Sequence, residues 1–147
     1  MKKLVIIMSA IFAVGVGSIS AQSHMTKGNE TPVIVKNAFK KDYPQVKTVK
    51  WDEEHGKYEA EFKLNNHDVS VTYSAQGVKE ETETSLNVKD LPKNITSYVA
   101  QKNYGTIKEA AKIVKADGSV TYEAEVKSGD LMFDHNGNFQ TLKVEKD

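Results

Sequence analysis

The chain has 147 residues, with 20 lysines and no arginine set against 20 aspartates and glutamates, and it contains no cysteine. A nucleic-acid binder normally carries a basic surplus and uses arginine for bidentate phosphate and guanine contacts, so this composition argues against nucleic acid as a partner. Without cysteine there are no disulfides, and stability has to come from an apolar core.

Met1-Lys2-Lys3 is a short positive leader, Leu4 to Val16 is almost wholly apolar, and Ser18-Ile19-Ser20-Ala21 is a small-residue cleavage region. This pattern predicts a signal peptide over residues 1–21, cut after Ala21, and a periplasmic destination. The apolar run is shorter than the ~20 residues a spanning helix needs. No cysteine follows it to carry a lipid, so the expected mature form has no membrane anchor. Removing Lys2 and Lys3 leaves 20 − 2 = 18 lysines against 20 acids, a formal charge of −2 on 147 − 21 = 126 residues. A chain of that size buries roughly two-thirds of its unfolded surface, enough for one or two small domains without disulfides. Residues 22–30 read as a flexible polar lead-in.

A helix is expected next, with Thr31 as N-cap and Pro32 at the first helical position. Val35, Ala38, Phe39 and Tyr43 form one apolar stripe, and Pro44 stops the helix because the residue before proline is pushed out of the helical region. Val49 and Trp51 open a sheet. Tyr58, Ala60, Phe62 and Leu64 then alternate with Glu59, Glu61 and Lys63, which predicts a strand wet on one face. Val69, Val71 and Tyr73 continue the apolar face, and Val78 to Thr84 reads as a polar, threonine-rich closing edge. His55-Gly56, Asn65-Asn66 and Gln76-Gly77 supply the turns.

The same order then recurs. Tyr58-Glu59-Ala60-Glu61-Phe62 returns as Tyr122-Glu123-Ala124-Glu125-Val126, Pro32 as Pro92, and the Gly77 turn as the Gly137 turn. The offset is 60 at both ends and 64 in the middle, because the hairpin at Lys63 to Asp68 shrinks to Lys127-Ser128-Gly129-Asp130. The second copy therefore offers a helix striped by Ile95, Tyr98 and Val99 with Gly105 as C-cap. Its strands lie at Ala111 and Ile113, at Tyr122 to Val126, at Leu131 and Phe133, and from Phe139 onward, with Ile113 answering Trp51. The expected fold is α+β: two tandem α-β-β-β-β repeats, residues 31–86 and 87–147, each a helix on an antiparallel four-stranded meander.

The run Ala38-Phe39-Lys40-Lys41-Asp42-Tyr43-Pro44, then Val49-Lys50-Trp51, then Gly56-Lys57-Tyr58-Glu59-Ala60-Glu61-Phe62, resembles the PepSY-like family of β-lactamase-inhibitor-like periplasmic proteins. The resemblance spans residues 30 to 145. It implies a tandem helix-on-sheet fold like that of the secreted β-lactamase inhibitor, which grips its enzyme with the open sheet face.

The pairs Glu59/Glu61 and Glu123/Glu125 have the spacing of glycosidase carboxylates, roughly 6 to 7 Å along a strand. On alternating strands, however, they read as solvated residues of the open face. Four histidines, His24, His55, His67 and His135, fall in the lead-in and in three turns, without the spacing that puts two on one side of an element. Asp134-His135-Asn136-Gly137-Asn138 echoes a calcium loop but lacks its closing glutamate, and reads as a tight hairpin. Trp51 shares its strand face with Val49 and reads as core. No nucleophile, metal or cofactor is expected. The functional expectation is an exported, non-enzymatic module that binds an envelope protein or peptide, in an inhibitor-like manner, through Glu59, Glu61, Thr72, Glu81, Glu123 and Glu125 on the open face. The alternative is a small-ligand or metal-responsive envelope protein.

Overall fold

A computed structural model describes residues 30–144; the signal-peptide and lead-in expectations and His24 lie outside the described residues. Two α-helices, a short 3-10 turn and eight strands follow one another as α1 (Val33–Asp42), β1 (Lys50–Glu54), β2 (Lys57–Leu64), β3 (His67–Ser74), β4 (Lys79–Leu86), α2 (Lys93–Gln101), β5 (Glu109–Lys115), β6 (Val120–Val126), β7 (Gly129–Asp134) and β8 (Phe139–Lys143), with the 3-10 turn at Val88–Asp90. All eight strands join one antiparallel sheet in sequence order, so the two halves share a continuous sheet through the β4–β5 pair.

Residues 31–40 and 91–100 have the same burial pattern, residue for residue. Thr31, Val35 and Phe39 are buried in the first copy; Leu91, Ile95 and Val99 are buried sixty positions on. Val35 and Phe39 pack on Tyr58, Ala60, Phe62, Val69, Val71 and Tyr73. Ile95 and Val99 pack on Ala110, Ala124, Val126, Leu131 and Phe133. Side chains alternate across a strand, and the register carries Val69 to Thr84, Lys112 and Tyr122, so both helices lie on the same face of the sheet.

The copies move aromatic mass rather than conserve it in place. Phe39 meets Phe62 at 5.1 Å and Trp51 at 5.4 Å, so Trp51 is a core residue as expected. In the second copy valine occupies both equivalent positions, Val99 and Val126. Tyr98 instead stacks on Phe139 at 4.9 Å and meets Phe133 at 5.7 Å. Matching β-bulges, at Thr72/Tyr73 and at Met132/Phe133, make this possible. Each bulge shifts the phase of the following strand and puts Lys79 opposite Tyr73 and Phe139 opposite Phe133, on the helix side. Lys79 there pairs with Asp42 at 3.4 Å and lies over the Tyr43 ring, while the Tyr73 hydroxyl donates to Asp42 at 3.1 Å. Burial and the Asp42 carboxylate push the Tyr73 phenol well above its ordinary range.

Four expectations need correction. Helix α1 begins at Val33, with Pro32 in the N-cap place and no side-chain cap, so Thr31 is buried rather than capping. Helix α2 ends with Asn103 in the left-handed conformation (φ 56°), not at Gly105. Tyr104 N–H donates to the Val99 carbonyl and Asn103 N–H to the Ala100 carbonyl, the paired bonds of a Schellman end. Strand β4 is no edge, because it pairs with β3 on one side and β5 on the other. Finally, Trp51 lies opposite Ala60 whereas Ala110 lies opposite Ala124, so Ala110 is the residue equivalent to Trp51. An odd-numbered slip in register exchanges the two faces of a strand, and it moves Ala111 and Ile113 off the helix side.

Candidate binding surface

The face away from the helices carries every second residue of the strands, in rows set by the register. One row runs Asp52, Glu59, Thr72, Glu81, Lys115 across β1 to β5. The next runs Lys50, Glu61, Ser70, Glu83, Ile113, Thr121 across β1 to β6. Ser85, Ala111, Glu123, Met132 and Thr141 form a third, and Glu109, Glu125, Asp130 and Lys143 a fourth. The six residues singled out from the sequence therefore do share one face, but it is not uniformly solvated.

At its margins the carboxylates are paired near water. Lys50 donates to Glu61 at 2.9 Å, and Lys108 reaches Glu125 at 3.3 Å. Inward the character changes. Thr72, Ser70 and Asp130 are buried, and Glu83 is only 5% exposed. Ala111, Ile113 and Met132, apolar residues on the face away from the helices, are 3%, 6% and 6% exposed. A residue on a central strand has lateral and diagonal neighbours on both sides, and long side chains there shield one another from solvent. Glu83 and Glu123 flank β5 diagonally: Glu83 lies opposite Ile113, and Glu123 opposite Ala111.

Removal from water raises these carboxyls. Burial foremost, then the charges of Glu123, Glu81 and Glu59, push Glu83 up to about 8, while Lys143 acts in the opposite sense. Burial and the charge of Asp130 push Glu123 up to about 7, again with Lys143 opposing. Glu59 is raised mainly by burial, although it accepts a hydrogen bond from the Ser70 hydroxyl. Glu81 lies opposite Thr72 and Lys115.

Beside Glu59, Glu61, Thr72, Glu81, Glu123 and Glu125, which the sequence pointed to, the same face carries Glu83, Asp130 and the apolar trio, which it did not. Glu83 was hidden by the reading of β4 as an edge: a central strand with the alternation Glu81-Thr82-Glu83-Thr84 would have marked it. The three described histidines do not converge. His55 is exposed in the β1–β2 turn, His67 at the start of β3 bonds through Nδ1 to the Ser85 carbonyl, and His135 is exposed in the β7–β8 turn. Among the described residues no group of three His, Asp or Glu side chains is placed to hold a metal ion. Asp134 uses its carboxylate on its own turn, accepting from the side chain and backbone N–H of Asn138 and from the backbone N–H of Asn136, which holds it below the usual carboxylate range.

Two helices on one side of a continuous antiparallel sheet, with no described helix on the other side, define an α+β class of helix-backed sheets. The family model described as "Putative beta-lactamase-inhibitor-like, PepSY-like" matches the chain twice, over residues 20–79 and 73–141, and the chain belongs to this PepSY-like family. Solved structures share the fold. A "putative periplasmic" protein of Bacteroides eggerthii aligns with a TM-score of 0.69 at 17% identity, over 79% of this chain and 90% of its own. A BLIP-like protein of Bacteroides fragilis aligns with a TM-score of 0.68 at 22% identity, over 81% and 91%. A DUF2874 family protein of Bacteroides ovatus aligns with a TM-score of 0.67 at 19% identity, over 80% and 89%. No curated protein matches the chain. Among the described residues no helix is long and apolar enough to cross a membrane.

Proposed function

We propose that the protein is an exported, non-enzymatic module that binds a protein partner in the cell envelope through the open face of its sheet, in an inhibitor-like manner. The observation that carries this reading is the breadth of that face, where one eight-stranded sheet presents the partly exposed Glu59, Glu61, Glu81, Glu123 and Glu125 with no described helix over them. Polar and charged side chains that keep partial access to water on a broad sheet face can set the orientation of a bound partner. The family relationship and the BLIP-like neighbour support the same reading at the level of fold, which by itself does not fix function. In this reading Glu59, Glu61, Thr72, Glu81, Glu123 and Glu125 surround the contact, cleavage after Ala21 releases the mature chain into the periplasm, and residues 31–86 and 87–147 are the two repeats.

The test is capture of partners from an envelope extract with residues 22–147 as bait. The pair Glu61→Lys plus Glu125→Lys reverses charge at partly exposed positions, and its folding is checked by circular dichroism. The pair Lys36→Glu plus Lys40→Glu does the same on helix α1. A partner held by the open face is lost with the first pair and kept with the second. The reverse result removes the face from consideration.

A further inference from the structure

Among the described residues the sheet ends on two strands with one neighbour each, β1 and β8, and the tandem repeat shows what covers such a strand. Inside the chain, β4 and β5 form the join between the copies. They run antiparallel, in register from Glu81↔Lys115 to Leu86↔Ala110, with both helices on one side of the sheet. Sixty positions beyond β4 lies β8, and the matching bulges align the two strands residue for residue. The outer flank of β8 is therefore the counterpart of the flank of β4 that β5 covers. The opening strands correspond in the same way, β1 to β5, with Trp51 in the place of Ala110.

The two edges differ in what guards them. Where β5 has Ala111, Lys112 and Ile113, β1 has Asp52, Glu53 and Glu54, all exposed. Charged side chains along an edge strand oppose the addition of another strand. The β8 edge has no such guard and is more apolar than β4 itself. Thr82 and Thr84 of β4 face Val114 and Lys112 of β5, and their counterparts sixty positions on are Leu142 and Val144. Leu142 lies opposite Leu131 on the helix side, and Val144, the next residue on that side, is 63% exposed. Lys143 is the one charged residue of β8. We infer that β8 pairs antiparallel with β8 of a second copy, Leu142 opposite the second copy's Leu142. Residues opposite one another share a face, so the helices of both copies lie on one side and the two open faces run on as one. Thr141 then faces the second copy's Lys143, and Lys143 its Thr141. A shift of two residues would set lysine against lysine, which fixes the register. A self-matched edge closes as a two-fold dimer, and the acid-guarded β1 strands at both ends of the joined sheet stop it there.

Sedimentation equilibrium of residues 22–147 at low salt tests this. One strand pair is a small contact, so a dimer forming over about 10 µM to 1 mM is expected. Thr141 is exposed, and its substitution acts at two symmetric places in the dimer. Thr141→Lys sets like charges opposite each other and raises the dissociation constant at least about threefold, while Thr141→Glu lowers it by a similar factor. Asp52→Lys, on the other edge, leaves it unchanged. Circular dichroism confirms that the variants keep the parent fold. A chain that stays monomeric at 1 mM overturns the inference, as does assembly beyond a dimer. A dimer that Thr141→Lys leaves alone or tightens, or one that Asp52→Lys shifts by threefold or more, overturns it as well, the last because it marks pairing through β1.

Discussion

Replacing Glu83 by glutamine is expected to stabilise the protein, and to do so only at neutral and alkaline pH. The carboxyl titrates at about 8 when folded, against 4.5 for the unperturbed group. Below pH 4.5 it is neutral in both the folded and the unfolded chain, and its favourable contribution is fully present. Between 4.5 and 8 the unfolded chain ionises while the folded chain keeps its proton, so unfolding releases a proton and stability falls as pH rises. The displacement corresponds to about 5 kcal/mol as an upper bound. Water entry and relaxation of the sheet reduce the penalty of a buried charge. A gain of about 2–3 kcal/mol for Glu83→Gln at pH 9 is therefore expected, shrinking to near zero at pH 4. Urea unfolding followed by circular dichroism at a series of pH values measures the difference. A variant that is no more stable than the parent at pH 9, or whose gain is the same at pH 4 and pH 9, refutes the reasoning.

Other consequences follow from packing and backbone. Phe39→Ala removes the ring shared by Trp51, Tyr43 and Phe62, and thermal unfolding should show a loss of about 3–5 kcal/mol. Gly129→Ala places a Cβ 2.2 Å from the Lys143 carbonyl oxygen at φ 128°, whereas Gly118→Ala at φ 81° meets open space. Denaturant titration should therefore rank the first as much the more damaging, with the second costing only about 1–2 kcal/mol for its left-handed backbone. Asp42→Ala strips the Tyr73 hydroxyl and Lys79 of a common partner and should cost about 1–3 kcal/mol by the same titration, with the open face untouched.

Much of the fold was legible because both periodicities were strong. The three- and four-residue stripe of Val35, Phe39, Ile95 and Val99 and the two-residue alternation of Tyr58 to Leu64 each marked one buried side, and all eight strands appear in the predicted order. What the periodicity of single strands could not give was the join between the copies. Glu109-Ala110-Ala111-Lys112-Ile113-Val114 has apolar residues in both phases, so either face could be taken as the core. Only pairing with β4 and β6 decides that Ala110 is inside and that Ala111 and Ile113 look out. The same join converts a polar edge into the middle of a sheet, and with it turns Glu83 from a surface carboxylate into a buried one. The side of the sheet bearing the candidate residues was thus readable from sequence; the shielding of its centre was not, because shielding depends on neighbours supplied by the other copy.

Site-resolved titration of the glutamate side-chain carboxyls, by carbon-13 chemical shift on the labelled chain, bears most directly on the claim that the uncovered face hides acids from water. Glu83 should have the highest midpoint, near 8, with Glu123 near 7 and Glu59 above the ordinary carboxylate value. Midpoints between about 4 and 5 for all three, the range of freely solvated glutamates, would contradict it.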